Sequence, residues 1–127
     1  MTIAALVLCG LAAALHVYIF VMESLTWTSP KTRATFGLSV AQAEATKDLA
    51  YNQGFYNLFL AIAVFAGIGF WVADKTEIGM TAVVIGAGSM AAAALVLLLS
   101  SPDKARAALT QGTLPTLGLL ALAISAL

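Results

Sequence analysis

Long apolar stretches alternate with short polar segments along this chain. Four stretches, at about residues 2–25, 50–72, 78–99 and 105–126, hold few charged side chains, and a helix needs about 20 such residues to cross a bilayer. The alternation typical of a transmembrane strand is missing, and backbone polar groups in lipid must be paired within the segment. The pattern predicts an all-α integral membrane four-helix bundle, with helices at approximately 2–25, 40–72, 77–99 and 102–126 in one domain, 1–127.

The segment between the first two apolar stretches carries its own helix signals. Ser29 is a good N-cap, and Pro30 after it suits the first helical position. Gly37 can take the left-handed conformation that ends a helix. We therefore expect a short interfacial helix over Pro30–Phe36.

Two further caps fix where the second and fourth helices begin. Ser39 and Gln42 have the spacing of a capping box, so the second helix is expected to start near Val40, well before the membrane. Ser101 followed by Pro102 predicts an N-cap at the start of the fourth helix. The loop before the fourth helix is then very short, which makes the third and fourth helices antiparallel neighbours.

Composition agrees with a membrane protein. Of 127 residues, 61% are hydrophobic and 9% are charged, whereas a soluble domain carries roughly 25% charged residues. The formal net charge is zero, which gives no electrostatic reason to expect a nucleic acid partner. The lipid bilayer is the expected environment.

The basic residues are shared unequally between the two sides of the membrane. The first and third loops, with the start of the second helix, carry five of the six, and the second loop carries only Lys75. The positive-inside rule therefore places the first and third loops in the cytoplasm and both termini outside it. Trp27 and Trp71 are expected at the two membrane interfaces, where indole rings are enriched.

The third helix is rich in small residues. Gly88 and Ala92, like Ala87 and Ala91, are spaced by four, and this spacing lets helices approach closely in a membrane. We expect homo-oligomers, although the same residues could pack on a helix of the same chain.

Polar side chains inside the membrane are the candidate functional groups, because ionisable residues are costly there. On the first helix, His16 and Glu23 are seven residues apart and share one face at about 100° per residue. All candidates lie in the half of the membrane nearer the cytoplasm, so we expect a blind, cytoplasm-facing pocket rather than a pore. The candidate ligand-binding residues are His16, Glu23, Asn52, Gln53, Tyr56, Asn57 and Gln111. Interhelical hydrogen bonding is the alternative role for each of them.

No metal site is expected. Zinc takes three or four N, S or O ligands, and the chain offers one intramembrane Glu, one His and one Cys. Cys9 lies about 10 Å from His16 along the helix and is expected to be a small packing residue. No cofactor can be assigned, because the sequence lacks the phosphate-binding and dinucleotide motifs.

Three stretches carry a resemblance to a family. HVYIFVMESLTW at 16–27, TKDLAYNQGFYNLFLA at 46–61 and LTQGTLP at 109–115 resemble the small bacterial inner-membrane proteins grouped as domain-of-unknown-function family 1304. The resemblance implies a four-helix membrane protein and no particular activity. The matching positions are His16, Glu23, Trp27, Asn52, Gln53, Gly54, Tyr56, Asn57, Gln111 and Pro115.

A looser similarity is to the membrane-associated eicosanoid and glutathione enzymes, which are also four-helix chains. The residues that match their glutathione-binding second helix are Lys47, Tyr51, Asn52 and Tyr56. Those enzymes also use arginines on membrane helices, and this chain has none there.

Three functions follow as hypotheses. The leading one is the binding or transport of a small polar or cationic ligand in the cytoplasm-facing pocket. The others are a membrane-embedded enzyme that modifies glutathione or lipid, and a structural or accessory subunit of a membrane complex. The sequence leaves open whether the protein is an enzyme.

Overall fold

The computed structural model describes residues 2–125, and within that range it is helical with no strand. The predicted all-α fold is therefore confirmed; residue 126, predicted to end the last helix, lies outside the described residues. The helices are α1 at Thr2–Phe20, α2 at Pro30–Phe36, α3 at Val40–Val72, α4 at Thr76–Ser100 and α5 at Ala105–Ser125. Helix α1 continues as a π-helical turn at Val21–Leu25, and a 3₁₀ turn at Pro102–Lys104 precedes α5.

The four long helices form an antiparallel bundle. Helix α1 packs on α3 and α5, and α4 packs on the same two helices from the opposite corner. Each long helix, counted with the turn attached to α1 or α5, is long and apolar enough to cross a membrane. We call the end that carries α2 and the 3₁₀ turn the α2 end, and the end that carries Asp74 and Lys75 the termini end.

The structure confirms the predicted first-loop helix and its caps. The Ser29 hydroxyl accepts a hydrogen bond from the Thr32 amide at 3.3 Å. Gly37 ends α2 with a φ of 67°, in the left-handed region. At the start of α3, the Gln42 amide donates to the Ser39 hydroxyl at 3.1 Å, and the Ser39 amide donates to the Gln42 side chain at 2.9 Å.

Ser101 and Pro102 lie at the predicted N-cap and first helical position, but the element that begins there is a 3₁₀ turn. The Ser101 side chain makes no capping hydrogen bond, and its φ of −141° and ψ of 74° lead into the 3₁₀ turn instead. The turn is closed by the Lys104 amide, which donates to the Ser101 carbonyl at 2.9 Å. Only a few residues join two long antiparallel helices here, so the chain uses the tighter 3₁₀ geometry.

Glycines let α3 and α4 approach closely near the termini end. A Cβ placed on Gly67 would lie 2.8 Å from the Gly79 carbonyl and the Val83 amide nitrogen. A Cβ on Gly79 would lie 2.6 Å from the Trp71 nitrogen. Because these neighbours are backbone atoms, only glycine fits at either position.

The packing face of α4 includes Ala87 of one predicted pair but not the other pair, Gly88 and Ala92. Gly79, Gly86, Ala87 and Ala94 are buried, whereas Ala92 is exposed and a Cβ on Gly88 would meet no atom within 4 Å. The side of α4 that carries Gly88 and Ala92 therefore faces outward.

Candidate functional site

The π-helical turn at the end of α1 shapes the candidate site. The Thr26 amide donates to the Val21 carbonyl, five residues earlier, at 3.0 Å. In an α-helix the acceptor would be the carbonyl four residues earlier. A π turn holds more residues per turn than an α-helix and is frequent at functional sites. The rotation of about 100° per residue assumed from the sequence therefore does not hold between His16 and Glu23.

The turn directs two consecutive side chains to α3. The Ser24 hydroxyl donates to the Tyr51 carbonyl at 2.8 Å, and the Glu23 carboxylate accepts from Asn57 Nδ2 at 2.8 Å. Gly54 lies between these contacts, and a Cβ there would lie 3.1 Å from Glu23 Cβ and 3.0 Å from the Ser24 nitrogen. The close approach of α1 to α3 thus depends on the absence of a side chain at position 54.

Glu23 has a neutral partner and no cationic one. Its carboxylate is half-buried, and within residues 2–125 no basic side chain lies within ion-pairing distance of it. The Asn57 amide also donates to the Gln53 carbonyl in its own helix, at 3.3 Å, which holds the Asn57 side chain in place. A positioned carboxylate without a cation is a suitable binding group for a positively charged ligand.

A groove of about 210 Å³ reaches the Glu23 side chain from the α2 end. Its walls are Glu23, Trp27, Thr46, Leu49, Ala50 and Gln53. The Trp27 indole donates to the Thr46 hydroxyl at 3.1 Å and packs on Phe36 of α2, with the ring centroids 4.9 Å apart. The indole is thereby fixed at the mouth of the groove.

The groove leads into the membrane. Trp27 is level with Thr46 because the two side chains are hydrogen-bonded, and Gly54, level with Glu23, lies about 12 Å further along α3 at 1.5 Å per residue. An indole at the headgroup region would therefore place Glu23, at the other end of the groove, below the headgroups.

His16 lies deeper on α1 and is 2% exposed. Its Nδ1–H donates to the Ala12 carbonyl at 2.8 Å, because a carbonyl oxygen can only accept. In the neutral ring this leaves Nε2 as a hydrogen-bond acceptor. His16 does not line the groove at Glu23.

Of the other predicted site residues, Gln53 lines the groove and Asn57 bonds Glu23, whereas Asn52 and Tyr56 lie on the outward face of α3. Asn52 is exposed and Tyr56 is 57% exposed. Gln111 is half-buried on α5 and is not among the residues that line the groove. The expected convergence is therefore observed for Glu23, Gln53 and Asn57.

The residues that match the glutathione enzymes lie on the outer surface of α3. Tyr51, Asn52 and Tyr56 are exposed, and Lys47 pairs with Glu44 at 3.3 Å on the projecting first turns of α3. Cys9 is buried against α5, where a Cβ on Gly118 would lie 2.6 Å from its sulfur. Within residues 2–125 no three His, Cys, Asp or Glu side chains are grouped so that they could hold a metal ion.

Three contributors to this site went unrecognised in the sequence: Ser24, Thr46 and the π turn. A Ser followed by Leu at the end of an apolar helix has no distinctive pattern, and Thr46 reads as one more polar residue of the projecting part of α3. Gly54 next to Gln53 was the one available signal of a close helix approach.

Four membrane-spanning helices in an antiparallel ring, with a polar groove at one end, define an integral membrane protein. The model of one family, described as protein of unknown function (DUF1304), matches residues 10–123, so the chain belongs to the DUF1304 family. No curated protein and no solved structure matches the sequence.

Proposed function

We propose that this protein binds a small polar or cationic ligand in the groove between the π turn and α3, and that an organic cation fits the groove best. The observation that carries the proposal is the half-buried Glu23 carboxylate, held by Asn57 at 2.8 Å and, within residues 2–125, without a basic partner. A bound cation would supply that partner. Gln53, at the wall of the groove, would add an amide contact.

Trp27 supports an organic rather than an inorganic cation. Its indole lines the groove, and tryptophan is the best aromatic partner for an ammonium group. Leu49 and Ala50 add apolar surface for the carbon atoms of such a ligand. A carboxylate at the bottom and an indole at the mouth suit an alkylammonium ion.

Binding is tested through the fluorescence of Trp27. The chain has two tryptophans, so a Trp71→Phe background in lipid nanodiscs leaves Trp27 as the reporter. Choline and tetramethylammonium are expected to change the emission saturably, and the uncharged carbon isostere of choline is expected to have little effect. Glu23→Gln should weaken binding at least about tenfold, the equivalent of 1.4 kcal/mol.

Glu44→Gln is the matched control, because Glu44 is exposed on the projecting part of α3 and lies outside the groove. An unchanged titration in Glu23→Gln, or an equal loss in both variants, would contradict the proposal. Retention of the thermal unfolding midpoint in Glu23→Gln excludes a folding defect.

A variant at His16, deeper on α1 than the groove, can distinguish ligand binding from ligand transport. A transported ligand has to pass inward beyond Glu23, where His16 is the next buried ionisable side chain along α1. His16→Ala is then expected to reduce choline flux into proteoliposomes while it leaves equilibrium binding at the groove unchanged. Equal flux in the variant and the unmodified protein would favour a role in binding alone.

We further propose that the α2 end faces the cytoplasm of a cell whose inner membrane holds the protein, with both termini outside and Trp27 and Trp71 at the two interfaces. The observation in support is that the antiparallel bundle gathers five of the six basic residues at the α2 end. Ala73→Cys should react with an impermeant maleimide in intact cells, and Ala34→Cys only after permeabilisation. The reverse labelling would contradict this orientation.

A further inference from the structure

One face of α3 has the spacing of a helix-pairing seam and no partner in the bundle. We call it the outer seam, and its residues alternate at intervals of three and four, the repeat of a coiled coil. They are Leu49, Asn52, Tyr56, Phe59, Ala63 and Ala66. All are exposed except the half-buried Ala63.

The outer seam lies opposite the face that α3 uses inside the bundle. The buried residues Ala50, Gly54, Ala61 and Val64 pack on α1 and α4. Ala50 and Asn52 differ by two positions, which is about 200° around the helix. Contacts among residues 2–125 therefore leave the outer seam uncovered.

Asn52 makes this face different from an ordinary lipid-facing surface. Several exposed hydroxyls in the bundle bond to carbonyls of their own helix, as Thr110 does at 2.8 Å and Thr113 at 2.6 Å. The Asn52 amide makes no hydrogen bond of this kind within residues 2–125. It lies about 9 Å further along α3 than Thr46, the partner of Trp27, so lipid would leave it with few partners.

We propose that a second copy of this chain covers the outer seam, with the two α3 helices parallel and the Asn52 amides hydrogen-bonded to each other. An amide is self-complementary, because it carries both donors and acceptors. Two copies inserted in the same direction are related by a two-fold axis along the membrane normal, which brings identical residues of the two seams together.

The composition of the outer seam fits two strands in particular. A single Asn at a core position of a parallel coiled coil sets the register and the number of strands, and the seam has one. Ala63 and Ala66 allow close approach further along the same face. The outward side of α4 around Gly88 and Ala92 is the rival surface. It carries the exposed Ser89 hydroxyl, which has one donor, whereas the Asn52 amide has two donors and an acceptor.

Cysteine cross-linking tests which face pairs. The natural Cys9 is buried, so single cysteines can be introduced into the full chain and oxidised in isolated membranes. Ala63→Cys and Ala66→Cys are expected to give a species of twice the 13.1 kDa monomer mass. Ile62→Cys is the control at equal depth, since Ile62 is exposed on α3 but lies off the seam. Ala92→Cys reports on the rival face.

Asn52 is tested by energy transfer between labelled copies in liposomes at increasing lipid dilution. Asn52→Leu is expected to weaken association by about 3- to 30-fold, the range of measured interhelical hydrogen bonds in membranes, and Asn52→Gln is expected to restore part of it. Asn52 is exposed, so both variants should keep the unfolding midpoint of the unmodified chain.

Several results would overturn the proposal: a monomer at every dilution, cross-linking as strong at Ile62→Cys or Ala92→Cys as at the seam positions, or an adduct of another mass that identifies a different partner. The groove and the outer seam can fail separately. Glu23→Gln removes the groove carboxylate and leaves the seam intact, whereas Asn52→Leu changes the seam and no residue that lines the groove.

Discussion

The two ends of the bundle are held together by different kinds of helix contact. Near the termini end, α3 and α4 meet through Gly67 and Gly79 with backbone against backbone. Near the α2 end, α1 and α3 meet through hydrogen bonds that involve Ser24, Glu23 and Asn57. The first kind of contact has no polar group to offer a ligand, whereas the second leaves a carboxylate oxygen and an amide beside a groove. The apolar end therefore acts as scaffold and the polar end as the candidate site.

The largest expected effect is on the scaffold. Gly67→Ala would place a Cβ 2.8 Å from backbone atoms of α4 that cannot rotate away, and we expect it to lower the free energy of unfolding by about 3 kcal/mol. Gly69→Ala is the matched control, because a Cβ there meets no atom within 4 Å. Unfolding in mixed micelles should separate the two variants; equal stability would mean that the glycine contact is dispensable.

A smaller effect is expected where Gly54 contacts the π turn. Gly54→Ala would collide with the Ser24 hydroxyl and press on Glu23 Cβ and the Ser24 nitrogen. The hydroxyl can rotate and the end of α1 can move away, so we expect a loss of about 1–2 kcal/mol. Ligand binding should fall much more than stability does, because the shift separates Glu23 from Asn57. Thermal unfolding and the Trp27 titration, measured on the same sample, check this; a parallel loss of both would remove the distinction between scaffold and site.

The hydrogen bond between Glu23 and Asn57 is expected to contribute about 1 kcal/mol to stability. A double-mutant cycle of Glu23→Ala and Asn57→Ala measures it, since each change removes one partner of the hydrogen bond and the coupling energy isolates the pair from other effects of each change. Additive single effects would show that the two side chains do not stabilise each other.

The smallest effect is expected outside the membrane. Lys47 and Glu44 form an ion pair at 3.3 Å with side chains 57% and 54% exposed, and such pairs contribute at most about 0.5 kcal/mol. Lys47→Met should leave the unfolding midpoint almost unchanged, and added salt should have no larger effect. If Lys47→Met changed the unfolding midpoint as much as Asn57→Ala does, this part of α3 would have to contact the rest of the bundle.

The parts of the fold that could be predicted from sequence are those with local causes. Apolar length gave the four helices, and Ser29, Gly37 and Ser39 marked the ends of helices through their own hydrogen bonds or backbone angles. The π turn could not be predicted, because one shifted hydrogen bond at Val21 leaves no trace in composition. The direction of Glu23 was unpredictable for the same reason.

Which face of α3 turns inward was also beyond the sequence. In water, apolar and polar faces separate inside from outside, but lipid is as apolar as a protein interior. Two largely apolar rows of residues run along α3, one through Ala50 and one through Leu49. Only packing decides which row faces the other helices. Asn52 and Asn57 consequently looked equivalent, although the structure places Asn57 at Glu23 and Asn52 on the outside.

Helix α3 is one unbroken rod of 33 residues without proline, about 50 Å long. It is clamped to α4 near Gly67, and its opposite end carries Thr46, the hydrogen-bond partner of Trp27. A tilt of about 5° around the clamp moves Thr46 by about 3 Å, since the two residues are about 32 Å apart. Helices tilt to match bilayer thickness, so the width of the groove mouth becomes sensitive to the lipid composition around it.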